Sequence, residues 1–235
     1  MVNTSTLYKT LLDSGGIFET HIQIELNENS HIDFYDDSIF AANTVRDVFG
    51  SQNASVGNCV SSRISFQTLY PVERIPEMAK VRLFVRVRLE DEVSEEIPQG
   101  VFYIDTRKKE NITGVPRLSV TGYDSMMLAE KDMDYDAISF PATVLDIVTK
   151  VSEIMQVPID MQTQQKLADA NYTIDKPTKD YTYREMLGIV ATMFLGNFVV
   201  TKENTLKMLQ AFGKPPVLID SDGAILTIGG DSIIV

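Results

Sequence analysis

Two short apolar segments each end in charge. QGVFYIDTRKKE over 99–110 brings Asp105 and Arg107 to the end of one, and LSVTGYD over 118–124 brings Asp124 to the end of the other. Two carboxyl groups held across a cleft are the equipment of glycoside hydrolysis, one as acid and the other as base or nucleophile. The same three residues are also the ordinary ends of a β-hairpin, and at this level both readings stand. The usual companions of a sugar cleft are thin, since the chain has no Trp. Other chemistries have less support. His21 and His31 lack the short, regular ligand spacing of a metal site. Cys59 is the only cysteine and has no base nearby in sequence to activate it, so it reads as a small buried hydrophobe. No phosphate loop, nucleophile elbow or dinucleotide fingerprint occurs. The expectation is therefore no catalytic residue, no cofactor and no metal.

A second cluster is the strand KVRLFVRVRL over 80–89, which alternates cleanly. Val81, Leu83, Val85, Val87 and Leu89 share one face, and Arg82, Phe84, Arg86 and Arg88 share the other. A basic stripe in an acidic chain has two readings. It is a solvated outer face whose arginine stems cover apolar surface, or a subunit interface where the guanidinium groups meet a neighbour's carboxylates.

The elements that must position these residues change character along the chain. Residues 18–26, 60–70, 80–89, 101–106 and 117–121 read as strands separated by turn signals, the pattern of an antiparallel barrel or sandwich. Asp124 is placed to cap one or two helical turns that follow it. Pro141 predicts a helix near 141–156, and the Thr182–Glu185 capping box another near 182–195, with Gly196 as its left-handed terminus. A hairpin over 197–210 completes an α+β unit, and strand signals restart after Gly213. The fold class expected is α+β, mainly β, with boundaries at 1–136, 137–212 and 213–235.

The chain has 235 residues and a net charge of −12, which disfavours a nucleic-acid binder because phosphate attraction needs clustered Lys and Arg. The lone cysteine rules out an intrachain disulfide, and the N-terminal residues lack a signal peptide's basic and apolar regions. No apolar run approaches the ~20 residues that span a bilayer. The expectation is a protein made in a reducing cytoplasm, without membrane insertion.

An ordered series of segments carries a resemblance. VGNCV (56–60), RIPEMAKV (74–81), IPQGVFYIDTR (97–107), VTGYDSM (120–126), FPAT (140–143), YTYREML (181–187), GNFVVT (196–201) and IGGD (228–231) together resemble the hub proteins of bacteriophage tails, including those of prophages and phage-derived injection particles in Gram-positive bacteria. The resemblance implies a tail-tube-like β-barrel, a small two-helix α+β domain and the first strands of a second, incomplete barrel. It implies a trimer whose pseudo-sixfold ring joins a hexameric tail tube to a threefold spike or fibre in the virion baseplate or tail tip. The partners implied are the tail tube or distal tail protein, the tape-measure protein and the spike or fibre protein. DNA would pass through without specific binding, as an acidic lumen would favour. Asp105, Arg107 and Asp124 then become barrel-end residues that fix strand pairing or face a neighbour. The second barrel is barely begun, so on this resemblance the chain is a short member or a fragment. The alternative is a cell-wall or carbohydrate-active module of a tail, a lytic enzyme or adhesin.

Overall fold

The computed structural model describes residues 4–48 and 55–210, and the backbone of 227–228 and 231–232. A short helix, α1 (Thr6–Asp13), precedes the strands β1 (Ile17–Asn27), β2 (Ser30–Tyr35), β3 (Ile39–Val45), β4 (Arg63–Leu69), β5 (Lys80–Leu89), β6 (Glu92–Val93), β7 (Ile97–Ile112) and β8 (Val115–Asp124). They form one antiparallel sheet in the order β2-β1-β5-β7-β8-β4-β3, with β6 added beside β5.

The register shows how this sheet is shaped. From Tyr35 the pairing runs through His21 and Phe84 to Pro98 on β7. From Ile39 it runs through Thr68 and Leu118 to Lys109 on the same strand. Yet Tyr35 and Ile39 are joined by a single 3-10 turn over Asp36–Ser38. The two edges of the sheet therefore meet with a displacement of about eleven residues along β7, the stagger that tilted strands need to curl into a barrel. The turn, rather than a ladder, links β2 to β3 among the described residues. Inside lies one core, to which Ile22 and Ile24, Ile64 and Phe66, Val81 and Leu83, Phe102 and Ile104, and Leu118 and Val120 all contribute. The alternation of β5 follows this division, with Val81, Leu83 and Val87 buried.

Curling needs local breaks in the pleat, and β-bulges supply them. One lies in β7 between Ile104 and Thr106, at Asp105. Opposite Ile104 on β8 stands Gly122, where an added Cβ would come within 2.6 Å of the Tyr103 carbonyl oxygen. The glycine in LSVTGYD is thus set by how closely two backbones approach.

Beyond β8 the chain builds a second core. A 3-10 helix over Ser125–Glu130 is capped by Asp124, as its sequence suggests. Then come β9 (Ala142–Thr143), α2 (Val144–Met155), α3 (Met161–Ala170), β10 (Thr173–Ile174), α4 (Tyr183–Met193), β11 (Gly196–Val200) and β12 (Leu206–Gln210). Ile147, Val151, Met155, Met186, Leu187, Val190 and Phe198 are fully enclosed there, and Cys59 joins them from the barrel side. Residues 55–60 cross between the units: Gly57 donates to the Gly196 carbonyl at 2.8 Å, and Phe198 donates to that of Asn58 at 3.0 Å.

Several expectations are corrected. The α+β unit has three helices, because α3 buries only Thr163 and Leu167 and so shows little apolar periodicity. Helix α2 starts at Val144, since Thr143 and Asp146 cap it reciprocally and the preceding Ala142–Thr143 is drawn into pairing with Thr173–Ile174. Gly196 begins a strand, and Leu195 takes the left-handed conformation with φ of 50°. A Cβ on Gly196 would lie 2.8 Å from the Leu209 carbonyl oxygen. Of the expected second barrel over 213–235, all but a two-residue ladder, Thr227–Ile228 with Asp231–Ser232, lies outside the described residues.

Replacing Gly122 by Ala is expected to lower the unfolding free energy by about 1–3 kcal/mol, as overpacking against a fixed backbone does. A urea midpoint equal to that of the wild type would contradict the close approach of β7 and β8.

Candidate assembly surface

The stripe on β5 lies on the outer face of the sheet, beside the polar face of β1. Register places Arg82 opposite Gln23, Phe84 opposite His21 and Arg86 opposite Glu19, so each arginine finds its partner within the chain. Arg86 Nε donates to Glu19, and Arg88 reaches the same carboxylate at 3.0 Å. Arg82 donates to Gln23 at 3.1 Å and lies 3.4 Å from Glu25. Burial on its own would raise the Glu19 carboxyl, but the hydrogen bonds and charge of Arg86, then Arg88, hold it below the ordinary 4.5.

His21 sits at the centre, 4% exposed between the rings of Tyr35 and Phe84, with centroids at 4.5 and 5.5 Å. Its Nδ1 is 2.7 Å from Glu96 and its Nε2 is 2.8 Å from Asp33. Arg86 lies over the Tyr35 ring at 4.8 Å. Asp33 is likewise depressed: burial raises it, and the hydrogen bonds from His21 and Gln23 outweigh that. The stripe is therefore one part of a network covering β2, β1, β5 and the start of β7. Sequence alternation identified the arginines but missed His21, Glu19 and Asp33, because their roles appear only when strands far apart in sequence are paired.

The strand-end residues are separated by their surroundings. Asp124 is 2% exposed and accepts from the Ser62 amide at 2.7 Å and the Met126 amide at 3.0 Å. Burial pushes its carboxyl above the ordinary aspartate value, against the pull of those amides. It closes the barrel end and caps the next helix. Asp105 is exposed at the bulge. It borders a surface hollow of about 480 Å³ with Glu77, Met78, Ile104, Thr106 and Arg107, a lining that omits Asp124. Arg107 donates to the carbonyls of Ile75 and Pro76. The structure thus does not bring Asp105 and Asp124 to one cleft. Cys59 is buried, and burial pushes its thiol up to about 12, far from a nucleophile's range. Among the described residues no group of three or more His, Cys, Asp or Glu could hold a metal ion.

Glu19→Gln removes the anion from the Arg86–Arg88 pair and is expected to cost about 1–3 kcal/mol at neutral pH, as for a charge-assisted hydrogen bond. Because the folded carboxyl lies below 4.5, its contribution is complete above that value and is lost as pH falls through the folded one. The difference in stability between wild type and Glu19→Gln should hold above about pH 4.5 and shrink below it. Chemical denaturation across that range measures this, and a difference unchanged by acid would refute the assignment.

No family model matches the sequence, and no curated protein matches it. Its fold is nevertheless shared with solved phage tail proteins. The 43 kDa tail protein of prophage MuSo2 from Shewanella oneidensis matches with a TM-score of 0.52 at 15% identity, over 87% of this chain and 57% of that chain. The tail protein from Neisseria meningitidis matches with a TM-score of 0.50 at 11% identity, over 86% of this chain and 54% of that chain. This chain spans a little over half the length of each. At these identities the likeness is one of fold: a mainly β protein with a large antiparallel sheet and few helices, as in phage tail proteins.

Proposed function

We propose that the chain is a structural subunit of a phage or phage-like tail, acting as a hub at the tail tip. The observation that carries this reading is the fold shared with phage tail proteins over 87% of the chain. In the proposal three copies form a ring that joins a hexameric tube to a threefold spike or fibre and leaves a passage for the genome. The net charge of −12 suits a passage through which DNA slides without adhering. The state of the candidate residues also supports a structural role. Asp124 is committed to backbone amides, and the β5 arginines hold the barrel wall to β1.

Two experiments test this. A small epitope inserted at the exposed Thr113–Gly114 turn should be seen at the distal end of tail particles by immuno-electron microscopy. Labelling along the tube, or particles without label, would overturn the hub reading. Purified protein should leave a peptidoglycan film intact. Clearing by the wild type that Asp105→Asn abolishes would favour the lytic alternative instead.

A further inference from the structure

His21 faces more acceptors than a neutral imidazole can serve. Its Nδ1 lies 2.7 Å from Glu96 Oε1 and its Nε2 lies 2.8 Å from Asp33 Oδ1. A neutral imidazole carries one N–H and one bare nitrogen, whereas an ionised carboxylate only accepts. With a single proton on either nitrogen, the other lone pair would point at a carboxylate oxygen within hydrogen-bond distance. Both contacts form together only when the cluster of His21, Asp33 and Glu96 holds one further proton. Bulk solvent does little to relieve the mismatch, since His21 is 4% exposed and its ring stacks on Tyr35 and Phe84.

The groups around the ring decide where that proton sits. From β2 come Asp33, whose other oxygen is 3.2 Å from His31, and the Tyr35 phenol, which burial and the nearby carboxylates raise and so keep neutral. The link between β6 and β7 brings Glu96, and β5 brings Arg86, 3.8 Å from Glu96. The Arg86 charge is shared with Glu19 of β1, to which its Nε donates. Asp33 and Glu96 remain as the anions in direct contact with the ring, a setting that favours the imidazolium. Burial raises Asp33, but the hydrogen bonds from His21 and Gln23 hold it below the ordinary aspartate value. That carboxyl therefore does not keep the proton, and the ring does.

We propose that His21, protonated on both nitrogens, is a clasp between β2 and the link preceding β7, which opens when one ring proton leaves. The clasp is closed at lower pH and opens as pH rises, because only the doubly protonated ring donates to both carboxylates. It opens on the Glu96 side. Asp33 is fixed in the β2 ladder opposite Gln23, which also donates to it at 3.2 Å. Glu96 lies outside the ladders, in the 94–96 link, and has Arg86 as an alternative partner. Its neighbour Glu95 accepts from the Ser5 amide at 2.6 Å, and Ser5 caps α1. Release of Glu96 therefore loosens the link that holds the first helix to the barrel wall. The clasp belongs to the chain itself and does not depend on the function proposed above.

Nitrogen-15 NMR of the ring tests this in the folded chain, with His31→Gln leaving His21 as the sole histidine. At about pH 7.5, above the ~6.5 of an unperturbed imidazole, both ring nitrogens should carry protons. Adding Glu96→Gln should give a neutral ring protonated on Nε2, since the amide NH2 can donate to a bare Nδ1 while Asp33 still accepts. Adding Asp33→Asn should give the opposite tautomer, protonated on Nδ1. Both substitutions keep side-chain shape at positions about one-third exposed, and either one decides the matter if the other fails to fold. As pH is raised with both carboxylates present, the Ser5 and Glu96 amide signals should move together with the ring signals. A ring already neutral at the starting pH, or one whose state neither substitution changes, would overturn the proposal. So would a ring titration that leaves the Ser5 and Glu96 amides unmoved.

Discussion

A sheet with one apolar face must be covered or curl onto itself, and the rest of this structure depends on the second solution. Strand β7 is where the curl is organised. It is paired to β5 on one side and β8 on the other, and the register accumulated across it brings the edges β2 and β3 to the two sides of one 3-10 turn. Its bulge at Asp105 and the close approach of Gly122 are local concessions to that curvature. The core is what the curl encloses, and the polar network is what remains outside.

That network explains why a basic stripe exists in an acidic chain. A sheet face turned to solvent can be polar without specific partners, but here the wall is cross-linked. Glu19 holds two arginines from the adjacent strand, and His21 is held between two aromatic rings and two carboxylates. Low exposure makes these contacts stronger than ordinary surface pairs. They pin the register of β2, β1 and β5 by charge as well as by burial, since a slip of one residue would turn each arginine toward the core.

The α+β unit is tied to the barrel through its own sequence and through a borrowed segment. Residues 55–60 leave β3 and β4 to pack beside β11, with the Asn58 amide donating to the Asn197 side chain, which in turn donates to the Ser55 carbonyl across the join. Asp124 does the same at the other junction, binding Ser62 on the barrel side and Met126 on the helical side. A carboxylate shared in this way resembles a catalytic group in sequence and works as a fastener in the fold.

What the sequence determined by itself was local. The alternation in β5 and the capping pair Thr182–Glu185 were legible because a strand's period and a helix cap depend on residues a few positions apart. So was Asp124 as a helix cap, whose amide partner Met126 is two residues away. Helix α3 and strands β2 and β3 were hidden: α3 and β2 are too polar for an apolar period to show, and β3, though largely apolar, has no alternation and stays mostly exposed, so it is defined by its pairing with β4. Only tertiary structure decided that Arg86 pairs with Glu19, 67 residues away, and that Asp124 also binds Ser62, 62 residues away. It likewise decided that Gly196 faces the backbone of Leu209. A carboxylate's surroundings decide whether it fastens or reacts, and chain closure alone supplies those surroundings.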